Sequence, residues 1–265
     1  MPFLALFLMA AACQPRVIRP EELPTEVPAN LDIAATAFVL TQNAPPPHFR
    51  DGIAVPEIDA KTDELSSWRS VVSLEFNGVF AGTSRQTKAT THAEIQFSLA
   101  DSKRRVLLTV NGDLFDQDEP LITEGVRLGS DTFFVRDQVC NLTTDTEAGV
   151  IADLGAKDLI GGVIQAKPDG GKATINGQQV WRYAFNPEDL NLTNVHIGEG
   201  GRLLYSTGEL WFAPEHNAVI RFYLTMDVEN ATIFGSQLPV TGTVIMQYDL
   251  YDIGIAQNIN VPFGC

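Results

Sequence analysis

The sequence runs to 265 residues, 45% of them hydrophobic, with a formal charge of -15 at neutral pH. That apolar content excludes a disordered chain, and the length suffices for one large domain or two small ones. The negative charge argues against nucleic acid as a partner, because such binding rests on cationic neutralisation of phosphates, and against an electrostatic hold on anionic lipid.

The chain opens on an unbroken apolar run, residues 3–12, too short to span a bilayer and of the length of a signal-peptide core. It closes with Ala10, Ala11 and Ala12 directly before Cys13. Small residues before a cysteine resemble the bacterial lipobox, in which the cysteine is lipidated and becomes the new N-terminus. Ala10 stands where leucine is commoner, and no Lys or Arg precedes the run. The alternative is a buried N-terminal segment with a free thiol. On the lipobox reading, residues 1–12 are a lipoprotein signal peptide and residues 13–33 a lipidated, proline-rich linker, with Pro15, Pro20, Pro24 and Pro28 unable to hold regular helix. Residues 34–265 then form a single domain. After Gln14 no stretch of about eighteen apolar residues follows, so the lipid is the expected membrane attachment and the domain is expected to be extracytoplasmic. An oxidising compartment makes Cys140 and Cys265 an expected disulfide, with two unpaired thiols as the alternative.

Within the domain, residues 31–41 fit a helix by their alanines and a strand by Thr36, Phe38 and Val39, and residues 63–68 read as a short helical lead-in. From Trp68 onward the signal has period two. Trp68, Val72, Leu74 and Phe76 oppose Arg69, Ser73 and Glu75; Ala93, Ile95, Phe97 and Leu99 oppose His92, Glu94 and Gln96. Val106, Leu108 and Val110 continue it, then Phe133 and Val135, with Asn111-Gly112 and Gly129-Ser130 as turn signals. Residues 150–164 break the alternation: Val150, Ile151, Leu154, Leu159, Ile160, Val163 and Ile164 recur at helical spacing, and Gly155, Gly161 and Gly162 make the helix short or broken. Alternation returns at Trp181, Tyr183 and Phe185, in residues 220–228 and in residues 243–250, with Asn176-Gly177 and residues 214–217 as hairpin turns. The glycine-rich residues 198–201 read as a further turn.

The order of a Ser67-Trp68-Arg69 strand start, a mid-chain short helix, a strand pair at residues 177–185, the Gly208-to-Trp211 strand and a final Thr-Gly-Thr strand at residues 241–253 resembles the LppX and LprG lipoproteins of the LolA and LolB superfamily. The resemblance implies a mainly β fold with small helices (α+β), in which a curved antiparallel sheet makes a half-open β-barrel closed by short helices. It also implies a cavity for acyl chains between sheet and helices, and no catalytic residues. The candidate cavity residues are Leu154, Leu159, Ile160 and Ile164 of the covering segment, with the aromatic parity Trp181, Tyr183 and Phe185. Each of these also fits a plain core role, and which parity faces the cavity is open.

Catalytic and metal constellations are weak. His48, His92, His196 and His216 have no partner at helical metal spacing, no Gly-x-Ser-x-Gly or phosphate loop occurs, and Asp113, Asp116, Asp118 and Glu119 lack the spacing of a calcium loop. The acceptor patterns at Asn141, Asn191 and Asn230 are chance matches in a Thr-rich β domain. The expectation is a monomeric, non-enzymatic, membrane-anchored lipoprotein without cofactor or metal that binds a lipid or other hydrophobic ligand. The alternatives are an envelope interaction domain with a filled core, and an enzyme.

Overall fold

Period-two runs become ladders because each strand buries one parity and leaves the other to solvent or to the outer face. The computed structural model describes residues 43–136, 139–142 and 146–265. The expected signal peptide, Cys13, the linker and residues 31–41 lie outside the described residues. Thirteen described strands form one antiparallel sheet. They are β1 (Ile53–Val55), β2 (Ser67–Phe80), β3 (Gln86–Ser98), β4 (Lys103–Gly112), β5 (Gln117–Leu128), β6 (Asp131–Arg136) and β7 (Val139–Leu142), followed by β8 (Gly161–Ile175), β9 (Gln178–Ala184), β10 (Leu190–Leu192), β11 (Val195–Ala213), β12 (Ala218–Ile233) and β13 (Val240–Tyr251). Two short helices, α1 (Thr146–Asp153) and α2 (Ala156–Leu159), interrupt the series between β7 and β8. The fold is mainly β with few short helices, an open sheet of half-barrel type.

Strand order is β1-β8-β9-β11-β12-β13-β2-β3-β4-β5-β6-β7, with β10 also pairing β8. The first and last long strands therefore meet in the middle, where Tyr251 faces Arg69 and Val240 faces Phe80. On the inner face of this centre lie Trp68, Val72, Leu74 and Phe76 of β2, Phe222, Leu224 and Met226 of β12, and Val244, Met246 and Tyr248 of β13, all essentially buried. In β2, β9, β12 and β13 the expected parity is the parity the core uses, whereas Leu99 is exposed and Phe133 of β6 turns to the opposite face.

Helix α1 lies on the inner face of β5. A Cβ on Gly125 would stand 2.7 Å from the Ala152 backbone nitrogen, so only glycine lets the helix come this close. Val126 then points to the outer face, where it joins Phe133 and Ile259 in a small separate cluster that Cys140 also touches. Ile259 belongs to the C-terminal tail, which crosses the outer face of β5 and β6 and ends in a disulfide from Cys265 to Cys140 of β7, with Cα atoms 5.4 Å apart. The expected bridge is thus present, and it closes a loop of 125 residues.

The segment 150–164 departs from its expected helical form. Helix ends at Leu159, and Gly161 begins β8. The glycines have a different purpose from breaking a helix: a Cβ on Gly161 would fall 2.0 Å from the Asn191 carbonyl and one on Gly162 2.1 Å from the Val55 carbonyl. They let β10 and β1 close on β8 from either side. Residues 63–68 likewise hold only one 3-10 turn, Thr62–Glu64, before β2 begins. Residues 198–201, expected as a turn, sit inside β11 at a break in its register with β12.

Candidate functional site

The sheet is not closed laterally between β9 and β11. Only Trp181, Arg182 and Tyr183 of β9 pair with β11, opposite Phe212, Trp211 and Leu210. After Ala184 the chain leaves through a 3-10 turn, Pro187–Asp189, to β10, which pairs β8 and not β11. The strands part and leave an opening. It is lined by Pro187, Leu190, Leu192, Val195, Ile197 and Leu203 together with the polar Asn191 and His196, and it reaches Met226 on the inner face of β12. The space there is about 340 Å³, within the range of small-molecule sites. Met226 is only 1% exposed, so the floor of the opening is the domain core itself.

This is not where the sequence placed the site. Ile160 is fully buried, Leu154 and Leu159 pack against the same core, and α1 touches β5 with no ligand-sized space at Gly125. Ile164 stands on β8 and is 52% exposed, facing away from the core. The expected cavity between residues 150–164 and the sheet is therefore replaced, at α1, by direct contact. Trp181 and Tyr183 are core residues: Tyr183 packs edge-on to Phe212 with ring centroids 6.1 Å apart, and its hydroxyl donates to the Phe49 carbonyl at 3.0 Å. Burial pushes the Tyr183 hydroxyl up to about 12. None of the expected set lines the opening; Phe185 sits next to it in sequence and packs inward. It lies 5.7 Å from Phe222 and covers Gly208 of β11. Leu190, Leu192 and Leu203 were missed because their strands are short or bulged, and an apolar residue gains its meaning there only from a pairing that fails to form.

Three solved structures are similar to the chain at low identity. The chain is similar to LprF from Mycobacterium bovis, at 16% identity and a TM-score of 0.37, over 78% of this chain and 94% of that one. It is similar to a LolA superfamily protein from Nitrosomonas europaea, at 10% identity and a TM-score of 0.23, over 79% and 96%. A DUF1329 family protein from Desulfovibrio piger follows at 9% identity and a TM-score of 0.21, over 76% and 88%. No protein-family model and no curated protein matches the sequence. The strand order described above, not these likenesses, defines the fold.

The helices that cover the inner face are fastened by polar groups. Arg104 donates from Nη2 to the Leu154 carbonyl at 2.8 Å and stands 5.6 Å over the Trp68 ring, while Arg127 meets Asp153 at 2.7 Å. Asn194 donates to the carbonyls of Asp158 and Leu159, and Thr193 to that of Lys157, which satisfies the C-terminal end of α2. Asp59 faces the backbone N–H groups of Ala156 and Lys157, yet burial outweighs them and raises its carboxyl above the ordinary range. Burial lowers the Arg104 guanidinium in the same cleft. The cleft is polar, with Glu57, Asp59, Asp63, Asp153 and Lys157 around Arg104, and it offers no surface to an acyl chain. Among the described residues no helix is long and apolar enough to cross a membrane.

Proposed function

We propose that this is an extracytoplasmic, non-catalytic protein, anchored to a bacterial membrane by lipid on Cys13, that binds a lipid or other hydrophobic ligand through the opening between β10 and β11. The observation that carries the reading is a gap of about 340 Å³ in which Leu190, Leu192, Val195 and Leu203 stand beside Asn191 and His196 and whose floor is Met226 of the core. An acyl chain seated on Leu190, Leu192 and Leu203 would remove from water the apolar surface that the missing β9–β11 pairing leaves open, worth about 25 cal/mol per Å². Lipidation at the lipobox-like residues 10–13 would hold the domain beside a source of such ligands.

Titration of the purified domain with a fluorescent fatty acid, paired with lipid extraction of protein expressed in a bacterium, tests the reading. Leu203→Asp should weaken probe uptake about tenfold or more while circular dichroism stays unchanged, because a carboxylate in an apolar site is strongly disfavoured. Cys13→Ser should abolish incorporation of labelled fatty acid and release the protein from membranes. The filled core beneath α1 favours a second reading, an envelope interaction domain with no internal ligand. Absence of saturable probe binding by the native protein, with no co-purified lipid, selects it.

A further inference from the structure

After β13 the chain leaves the sheet and runs as residues 252–265 back over the outer face of β5 and β6. Its hold there is slight. Asp252 meets Arg69 at 2.9 Å, and the Gly254 N–H donates to the Ser67 carbonyl at 2.9 Å, both at the start of the tail. From residue 255 onward, hydrogen bonds among the described residues stay within the tail: Ile255 donates to Asp252, Gln257 to Ile255, Asn260 to Asn258 and Cys265 to Pro262. The rest is fastened by the buried Ile259 and Pro262 and by the bond from Cys265 to Cys140. Ile259 sits on Val126 and Phe133, an apolar patch that the tail covers.

That bond is accessible. Cys265 is exposed and Cys140 half-buried, and exposed disulfides are the ones that exchange readily with thiolates. The flanking residues are apolar yet stand in water: Val139, beside Cys140, is 59% exposed, and Val261 and Phe263, just before Cys265, are 47% and 99% exposed. Phe263 is held in place. It occupies the tip of a β-turn closed by the Cys265 N–H on the Pro262 carbonyl at 3.1 Å, with Gly264 at φ +87° in the next position, as such a turn requires. Stability gives no reason for this ring to face water. An aromatic anchor set in advance on a pinned turn suits docking, because little freedom is left to lose when a partner covers it.

We propose that Cys140–Cys265 is a thiol–disulfide exchange site, and that Phe263 and Val261 dock the protein that opens it, a dithiol protein with an apolar rim around its reactive cysteine. The partner's thiolate attacks the exposed Cys265 sulfur; a mixed disulfide forms, and Cys140 leaves as thiolate and takes up a proton. The partner's second thiol then attacks the partner's own sulfur in that mixed disulfide and frees Cys265. Together the two cysteines gain two electrons and two protons, and the partner ends as its disulfide. With the bond open, Ile259 and Pro262 do not hold the tail, which lifts and uncovers Val126 and Phe133. The proposal does not rest on the hydrophobic-ligand reading, which concerns the opposite flank of the sheet.

The test exposes the purified, oxidised protein to a bacterial thioredoxin and, separately, to dithiothreitol, a dithiol with no docking surface. Thioredoxin lacking its second cysteine should be trapped on Cys265, read by peptide mass mapping. Phe263→Asp should slow reduction by thioredoxin about tenfold and leave reduction by dithiothreitol unchanged, because the charge replaces the docking ring without touching the bond. After reduction, circular dichroism should keep its sheet signal while Nile red, a dye for apolar surface, gains a binding site at the uncovered patch. Capture on Cys140, or a Phe263→Asp effect that is absent or equal for both reductants, overturns the proposal. Loss of the sheet signal on reduction makes the bond a structural tie and overturns it as well. Unchanged dye binding by the reduced protein leaves the tail in place and removes its release.

Discussion

The centre of the sheet and its β8–β11 flank are written in the same alternating code and behave differently. β13 and β2 pair from Val240 and Phe80 to Tyr251 and Arg69 without a register shift, and β2 and β3 pair equally cleanly. In the flank, register breaks between Pro168 and Lys172, again between Ile197 and Arg202, and once more between Leu203 and Tyr205. Proline removes a ladder donor and glycine weakens a strand, and both gather at those breaks: Pro168, Gly170 and Gly171 in β8, Gly198, Gly200 and Gly201 in β11. The centre supplies stability through continuous pairing and burial. The flank gives up pairing, and the opening lies there.

Breaking each hold in turn tests that division. The limb β5–β7 is as peripheral as the flank but is clasped by the C-terminal tail, so Cys140→Ser with Cys265→Ser should cost about 4 to 5 kcal/mol in the chain-entropy picture. Urea unfolding measures it, and a loss near zero would mean that ladder pairing alone secures the limb. Leu74→Ala in the centre should cost about 2–5 kcal/mol, against under about 1 kcal/mol for Leu203→Ala at the opening. Comparable losses would erase the contrast. Gly162→Ala forces a methyl onto the Val55 carbonyl and should cost about 1–3 kcal/mol by prising β1 from β8, read as faster hydrogen exchange in β1.

The smallest effect concerns Asp59. Its carboxyl is raised by burial, so the folded state holds the proton more tightly than the unfolded chain does. The stability it contributes is full below the ordinary carboxylate range and is lost as pH rises through the folded value. Asp59→Asn should therefore equal or slightly exceed the native protein in unfolding temperature at neutral pH, with the difference closing in acid. A variant that is less stable at neutral pH and equal in acid would show that the charge secures α2.

The centre was legible because a two-residue period needs only local sequence: Trp68, Val72, Leu74 and Phe76 announce their shared face whatever lies beside them. Hairpins were legible for the same reason. Asn176 and Gly177 both adopt positive φ at the β8–β9 turn, as that dipeptide foretells. Residues 161–164 were misread because Val163 and Ile164 extend a helical spacing, while the glycines that exclude a helix act through the carbonyls of Val55 and Asn191, far away in sequence. The opening was illegible in a deeper sense. Leu190, Leu192 and Leu203 look like ordinary strand residues, and only the failure of β10 to pair with β11 leaves them facing a gap.

The meeting of β2 with β13 also bears on how the molecule is made. These neighbours are separated by most of the chain, and Tyr251 must reach Arg69 before the inner face of the centre can be covered on both sides. Such distant pairing is slow, since the entropy of closing a long loop is spent before contacts repay it. A nascent chain stays without its central ladder until β13 is synthesised. Until β13 arrives, the apolar parity of β2 stays uncovered on that side.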